Sequence, residues 1–381
     1  MGFEALCGNA DGDVMAGRAT ADCLIVGGGL IGMLSAYELA QAGLRVTLLE
    51  RGQTGQESSW AGGGILSPLY PWRYPDAVND LARWGQRRYQ GLAASLHEQS
   101  GVDPEWQPSG LLMLGVADQA KAKALAWADR HAVRLARLVD GEIARCDTAL
   151  STHSGAALWM PEVAQIRNPR LLTALRKVLE QRGVVFEEQT EVQNFQQQAG
   201  RITAVETTRG VYRAGKVVVA SGAWSRTLLN NLGAAIEIEP VRGQMLLYKG
   251  EPGLLKTIVM SGGHYVIPRR DGHVLVGSTV EYVGFDKSTT TAAADALRQV
   301  AETLVPALAD VEVVRHWAGL RPGSAKGVPY IGEHPEISGL YVNTGHFRNG
   351  VVLGYASAKL LGDIVLERES DFEMSRYTIE R

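Results

Sequence analysis

Gly27, Gly29 and Gly32 stand at G-x-G-x-x-G spacing, and a carboxylate, Glu50, follows 18 residues beyond the last of them. That set is chemically suited to a dinucleotide. The first glycine permits a tight turn, the second lets backbone approach a pyrophosphate, and the third allows close helix–strand packing; Glu50 can take ribose hydroxyls. A glycine-rich turn with no ligand is the competing reading, and the surroundings weigh against it. Cys23–Val26 is a short apolar run suited to a buried parallel strand, Leu30–Ala42 carries apolar residues on one helical face, and Val46–Leu49 reads as a second strand that ends at Glu50. Strand, glycine turn, helix, strand and acid agree, and a free helix N-terminus at the turn favours an anion.

The elements that must position this site can be read along the chain. Arg51–Leu66 is a loop of small residues, with Ser58, Ser59 and the run Gly62, Gly63, Gly64, which lets backbone lie flat against a ligand; a flexible linker is the plainer reading. Helices are expected over Asp76–Gln99, Ala117–Leu138, Asn168–Arg182, Thr290–Leu304 and Arg348–Leu366. Strands are expected at Leu111–Gly115, Ala156–Met160, Lys216–Ala220, Val311–Leu320 and Leu340–Thr344, with a hairpin around Arg209–Gly210. From Glu237 to Gly277 the pattern becomes alternating strands (QMLLY, TIVM, HYVIP, HVLVG), which predicts an antiparallel sheet. The fold class is therefore α/β, a Rossmann-like dinucleotide-binding domain with a second, antiparallel-sheet domain for substrate. The expected boundaries are 21–66, 165–235 and 325–366 for the first, 67–164 and 236–324 for the second, and 367–381 for a C-terminal tail.

Composition sets outer bounds. A chain of 381 residues suits about two domains, at roughly 150 residues each. A formal charge of −3 gives no pull toward nucleic acid or membrane, and no apolar run is long enough to span a bilayer. Cys7, Cys23 and Cys146 have no metal-ligand or disulfide spacing, and the eight histidines show no metal-ligand spacing either, so no metal is expected; a reducing cytoplasm is the simplest compartment. Residues 1–20 lack a basic start and an apolar core and read as a disordered extension, with Met15 as a second possible start.

Five segments in order, GGGLIG with Glu50-Arg51, SSWAGGG, VVVASGAWS, WAGLRPGSAKGVPYIG and GHFRNGVVLGYASAKLLGDIV, resemble the D-amino-acid-oxidase-like family of FAD-dependent amine and amino-acid oxidoreductases. The likeness runs from about Ala21 to Ile364 and is nearest to the family's glycine-oxidising branch, which serves thiamine biosynthesis. It implies FAD, with Leu30 and Ile31 over the pyrophosphate turn and Glu50 and Arg51 at the adenosine ribose. Ser58, Ser59, Gly63, Gly64 and Ile65 would lie along the phosphates and ring system, and Val192 would meet the adenine through its backbone. His346, Phe347, Arg348, Asn349, Gly350, Val351 and Val352 match the segment at the start of the last helix, whose N–H groups can stabilise negative charge on reduced flavin. Relatives that hold flavin covalently do so through a late cysteine or a histidine beside the early glycine loop; here no cysteine follows Cys146 and Trp60 stands beside that loop, so the resemblance points to non-covalent FAD.

The same resemblance implies the substrate side. Arg321 in GLRP matches the carboxylate-binding arginine, Tyr265 in HYVIP the hydroxyl that assists it, and Arg348 a second arginine near the pocket. Without the match, Arg321 reads as a surface residue, Tyr265 as a sheet residue and Arg348 as a helix start. Glycine is the implied substrate, with sarcosine and small D-amino acids as further candidates, dioxygen as oxidant, hydrogen peroxide as product and a homotetramer as the assembly. A D-amino-acid dehydrogenase passing electrons to a quinone and a non-catalytic flavin-binding protein remain as rivals.

Overall fold

The computed structural model describes residues 21–150, 156–234 and 236–379. The N-terminal extension expected over residues 1–20 lies outside them.

Four short runs, Cys23–Val26, Val46–Leu49, Val217–Val219 and Leu340–Thr344, are apolar on both faces apart from Thr47, Asn343 and Thr344, so they must be covered on both sides. They are. Together with Val185–Glu187 they form the parallel part of a six-stranded sheet, and Tyr330–Glu333 adds an antiparallel edge to Leu340–Thr344. Alternation along Cys23–Val26 divides the core. Cys23 and Ile25 pack among helices Leu30–Gln41, Asp76–Ser100, Asn168–Gln181 and Gly350–Val365, whereas Leu24 and Val26 pack toward Phe195, Val205 and Tyr212 of a three-stranded antiparallel sheet. The chain leaves Cys23–Val26 for Val46–Leu49 on one side and reaches Val217–Val219 on the other, so the strand order reverses beside the glycine turn.

A second sheet has eight strands in the order Val313–Ser324, Ile238–Lys249, His273–Gly277, His264–Pro268, Ile258–Ser261, Leu111–Leu114, Ala157–Met160 and Ala136–Leu138. Period-two alternation again sorts its residues. Met245, Tyr265 and Ile267 share one face with Leu111 and Met113, while Leu246, Val266 and Leu112 pack on the other with helix Thr291–Leu304. Thr290 caps that helix by accepting from the Ala293 N–H at 3.3 Å.

Several expectations need correction. The eight-stranded sheet is not wholly antiparallel, because Ile258–Ser261 runs parallel to Leu111–Leu114. The helix expected over Ala117–Leu138 stops at His131, where Ala132 turns left-handed at φ 51°; Ala136–Leu138 then pairs with Ala157–Met160 as an edge strand. Tertiary pairing overrides an alanine-rich helical pattern there. The loop Arg51–Leu66 contains a helical turn at Ser58–Ala61, and the strand expected over Val311–Leu320 begins later and continues through Arg321 to Ser324. The closing helix starts at Gly350, and Arg348 lies in the 3-10 turn Phe347–Asn349 before it. Beyond that helix the chain packs back. The Ile331 N–H donates to the Tyr377 carbonyl at 2.8 Å, and the Tyr377 hydroxyl donates to the Ala77 carbonyl at 2.9 Å.

Helix Asp76–Ser100 meets the closing helix at a glycine. A Cβ on Gly85 would stand 2.4 Å from the Val352 carbonyl oxygen, whereas one on Gly91 of the same helix would meet nothing within 4 Å. Gly85→Ala should therefore destabilise by about 1–3 kcal/mol through overpacking. Gly91→Ala should stabilise by about 0.5–1 kcal/mol through backbone entropy. Denaturant midpoints of the two variants should move in opposite directions.

Candidate active site

One long cleft opens where the parallel strands end. Val26 and Gly27, Leu49 and Glu50, Ala220 and Ser221, and Thr344 and His346 follow four adjacent strands and all line it. Ligands of open α/β sheets bind outside the carboxyl ends of strands beside a reversal of strand order, and this is such a place. Gly27 takes φ +114°, and an added Cβ would come within 2.5 Å of the Ala220 carbonyl oxygen, so both the turn and the close approach require glycine. Gly32 is not on the wall. Its missing Cβ makes room for the Gly27 carbonyl, 1.9 Å from where that carbon would be.

The loop after Glu50 is tied down from distant parts of the chain. The Ser59 hydroxyl accepts from the Leu30 N–H at 2.8 Å, and the Asn168 amide donates to the Ser59 carbonyl at 2.8 Å. The Arg269 guanidinium donates to the Gly63 carbonyl at 2.9 Å, and the Ile166 N–H donates to the Gly64 carbonyl at 2.9 Å. Burial, with the positive charge of Arg167 nearby, lowers Arg269 to about 10, still far above neutrality. Ser58, Ser59, Gly63, Gly64 and Ile65 all face the cleft as a result. Trp60 turns instead onto Trp317, with ring centroids 5.5 Å apart, and lies under Arg315.

At the glycine-turn end, Glu50 accepts from the Gly28 N–H at 2.8 Å and the Gly52 N–H at 2.9 Å, one on each oxygen, so each oxygen keeps a further lone pair. Arg51 stacks over Trp224, 3.7 Å from the ring centroid, and both line the cleft with Val192. Helix Leu30–Gln41 has no acid in its first turn, and of its first N–H groups that of Leu30 goes to Ser59; Gly350–Val365 begins with neither an acid nor a cap from Asn349. Both N-termini are thus free to face negative charge. Leu30, Ile31, Gly350 and Val351 are on the wall, whereas Asn349 and Val352 are buried behind it.

The other end is built on the eight-stranded sheet. Tyr265 and Met245 face the cleft, and the Tyr265 hydroxyl donates to the Met245 sulfur at 3.4 Å. Arg321 lies over Gly243, where a Cβ would stand 2.0–2.3 Å from the guanidinium. Its Nη1 donates to the carbonyls of Arg242 at 3.3 Å and Thr279 at 3.1 Å, and its Nη2 donates to the Ser278 hydroxyl at 2.6 Å. Loss of water lowers the Arg321 pKa, the Tyr265 hydroxyl opposes that shift, and the positive charge of Arg348 adds to it. Arg348 itself donates to the Gly263 carbonyl at 3.2 Å. The cleft therefore brings Arg321, Tyr265 and Arg348 together with the glycine turn.

Sequence reasoning missed Asn168, Arg269, Trp224, Ser278 and Gly243. Only Gly243 left a signal, since a glycine inside a strand pattern marks a close approach. Among the described residues no cluster of His, Cys, Asp and Glu could hold a metal. The wall fits FAD on its own terms: glycine backbone and the N-terminus of Leu30–Gln41 for the phosphates, the N-terminus of Gly350–Val365 for negative charge on the ring system, and a free lone pair on each Glu50 oxygen for ribose hydroxyls.

Comparison with known proteins agrees with that fit. The sequence profile described as FAD dependent oxidoreductase (DAO) matches residues 22–364. The glycine oxidase of Pseudomonas aeruginosa is 48% identical over 355 residues, covering 93% of this chain and 97% of that protein. The bifunctional protein ThiO/ThiG of Synechocystis is 31% identical over 92% of this chain and 52% of its own length. The crystal structure of glycine oxidase from Geobacillus kaustophilus superposes with a TM-score of 0.91 at 30% identity, covering 96% of this chain and 99% of the other.

His346 gives the site a pH limit. It is 1% exposed, donates from Nε2 to the Ser357 hydroxyl at 2.9 Å, and burial lowers its pKa to about 3. Unfolding restores a value near 6.5, so the unfolded chain binds the proton first and stability is lost as pH falls from 6.5 toward 3. Urea unfolding of the holoprotein between pH 6 and 4 should lose about 1.4 kcal/mol per pH unit more than the His346→Gln variant does.

Proposed function

The chain belongs to the DAO family of FAD dependent oxidoreductases, and we propose that it is a glycine oxidase, converting glycine to the imine and onward to glyoxylate and ammonia, with dioxygen as final acceptor and hydrogen peroxide as co-product. Sarcosine and small D-amino acids are its further candidate substrates. The observation that carries this reading is the hydrogen-bond count at Arg321. A guanidinium has five N–H groups. Three of those of Arg321 are taken by Arg242, Thr279 and Ser278, which leaves two, Nε–H and one Nη2–H, with the Tyr265 hydroxyl close by. Two parallel donors on one edge suit a carboxylate held bidentately.

When bound, FAD supplies the chemistry by accepting the hydride that leaves the substrate's α-carbon. The chain supplies orientation and proton control. Arg321 fixes the carboxylate, and the Tyr265 hydroxyl beside it, on turning from the Met245 sulfur, supplies a second donor. The hydride can leave only from a neutral amine. Arg321 and Arg348 put two positive charges at this end, while the acids that line the cleft, Glu50, Glu57 and Glu191, lie on the glycine-turn side. That arrangement disfavours an ammonium and so favours the reactive form. Non-covalent FAD, held by the residues on the six-stranded sheet and loop 51–66, and a substrate half on the eight-stranded sheet belong to the same reading. So do a cytoplasmic homotetramer and a role in supplying imine for thiamine biosynthesis.

Anaerobic mixing with glycine should bleach the flavin, and air should restore its colour with release of hydrogen peroxide. Bleaching only by larger D-amino acids, with slow recolouring, would transfer the case to a dehydrogenase. Arg321→Met should lower kcat/KM for glycine roughly 10- to 150-fold, the loss of a charged hydrogen-bonded pair worth about 1.5–3 kcal/mol. An Arg321→Met enzyme with unchanged glycine kinetics would refute the clamp.

A further inference from the structure

Arg321 can grip a carboxylate only if its guanidinium presents the right edge, and something must choose that edge. Strand Val313–Ser324 pairs with Ile238–Lys249 so that Arg321 stands opposite Val241 and Gly319 opposite Gly243. The arginine side chain therefore lies diagonally across a floor without Cβ atoms, at Gly243. That floor lets the guanidinium lie close to backbone but does not stop it turning. Its two Nη1 bonds end on carbonyls of Arg242 and Thr279, at one corner of the plane. With only those bonds the group can pivot about Nη1, and either edge can swing away from the cleft.

Ser278 supplies the fixed point at a second corner. Its hydroxyl accepts from Nη2 at 2.6 Å, the shortest of the three bonds, and the residue is 3% exposed. It follows the end of His273–Gly277, the strand that pairs with both Ile238–Lys249 and the Tyr265 strand, His264–Pro268. Ser278 does not line the cleft, so it has no direct contact to offer a substrate. Resting on the reading of Arg321 as a carboxylate clamp, we propose that Ser278 is the positioning residue that locks the clamp, committing one Nη2–H to itself so that the other, with Nε–H, faces the substrate. Anchors at two corners fix the group against turning in its own plane; an anchor at one does not.

A clamp that is correctly aimed before substrate arrives contributes to binding in the ground state and transition state alike, so its loss should appear in KM more than in kcat. Ser278→Ala should raise the KM for glycine about tenfold, leave kcat within twofold, and leave FAD content unchanged. Acetate, which has the carboxylate but no amine, should bind about tenfold more weakly, read from the perturbation of the flavin spectrum. Ser278→Thr, which keeps the acceptor, should restore both values. Should the alanine chain fail to accumulate, Ser278→Cys keeps the volume, weakens the acceptor and carries the same expectation. An unchanged KM and acetate affinity in the variant lacking the acceptor would overturn the inference, as would a kcat loss that threonine does not rescue. Arg321→Met tells the two failures apart. If it weakens acetate binding and Ser278→Ala does not, only the positioning role falls; if neither does, the clamp itself is wrong.

Discussion

A guanidinium drawn out of water must find acceptors, and Arg321 finds them in its own sheet. Two carbonyls and one hydroxyl take three of its donors, and a glycine diagonally across the strand pair, Gly243, gives it room to lie flat. Much of the second sheet follows from that need. The carbonyls of Arg242 and Thr279 must converge on one point, which fixes the start of the Ile238–Lys249 pairing relative to the segment after His273–Gly277. Arg242 is in turn held by Glu281 and Asp286, with which it forms two ion pairs. An unpaired cation here would be costly, and a half-satisfied network worse than an apolar one. The region is therefore ordered around a charge that still lacks one partner.

The first sheet meets a different constraint, the approach of backbone to backbone. Gly32 must let the Gly27 carbonyl in, and Gly27 must let the Ala220 carbonyl in, or the three strands and the first helix cannot close on one another. Those contacts bring four strand ends to one line, where main-chain N–H groups and helix N-termini without acids in their first turns provide an anion cradle with little help from charged side chains. The two sheets thus contribute opposite kinds of recognition to one cleft. One offers diffuse dipoles for phosphates, and the other offers discrete cations for a small acid.

How much of this the sequence discloses depends on the range of the interaction. The glycine turn is local, and its strand–turn–helix–strand context is legible because periodicity and spacing both act within thirty residues. Tyr265 and Arg321 are legible as types and by resemblance, but the floor at Gly243 and the anchor at Ser278 arise only when Val241 pairs with Arg321, a register that no local pattern specifies. The loop around Gly63 is similar. Its shape depends on Asn168 and Arg269, which lie about one hundred and two hundred residues away and whose neighbourhoods look like an ordinary helix start and a strand end. The false helix beyond His131 has the same origin, since an edge strand is defined by its partner at Ala157–Met160 rather than by its own composition.

The clamp's incompleteness has a consequence for where binding energy goes. Removing water from Arg321 disfavours its charged form, and Arg348 adds to that cost. A carboxylate entering the fork relieves both, so the site gains most from substrates that bring a negative charge to that point. The amine experiences the reverse field, because the same two cations that welcome the carboxylate resist a neighbouring ammonium. A zwitterionic amino acid is thus gripped at one end and pushed toward deprotonation at the other by a single charge arrangement. Such a site needs no separate base to strip the ammonium of its proton.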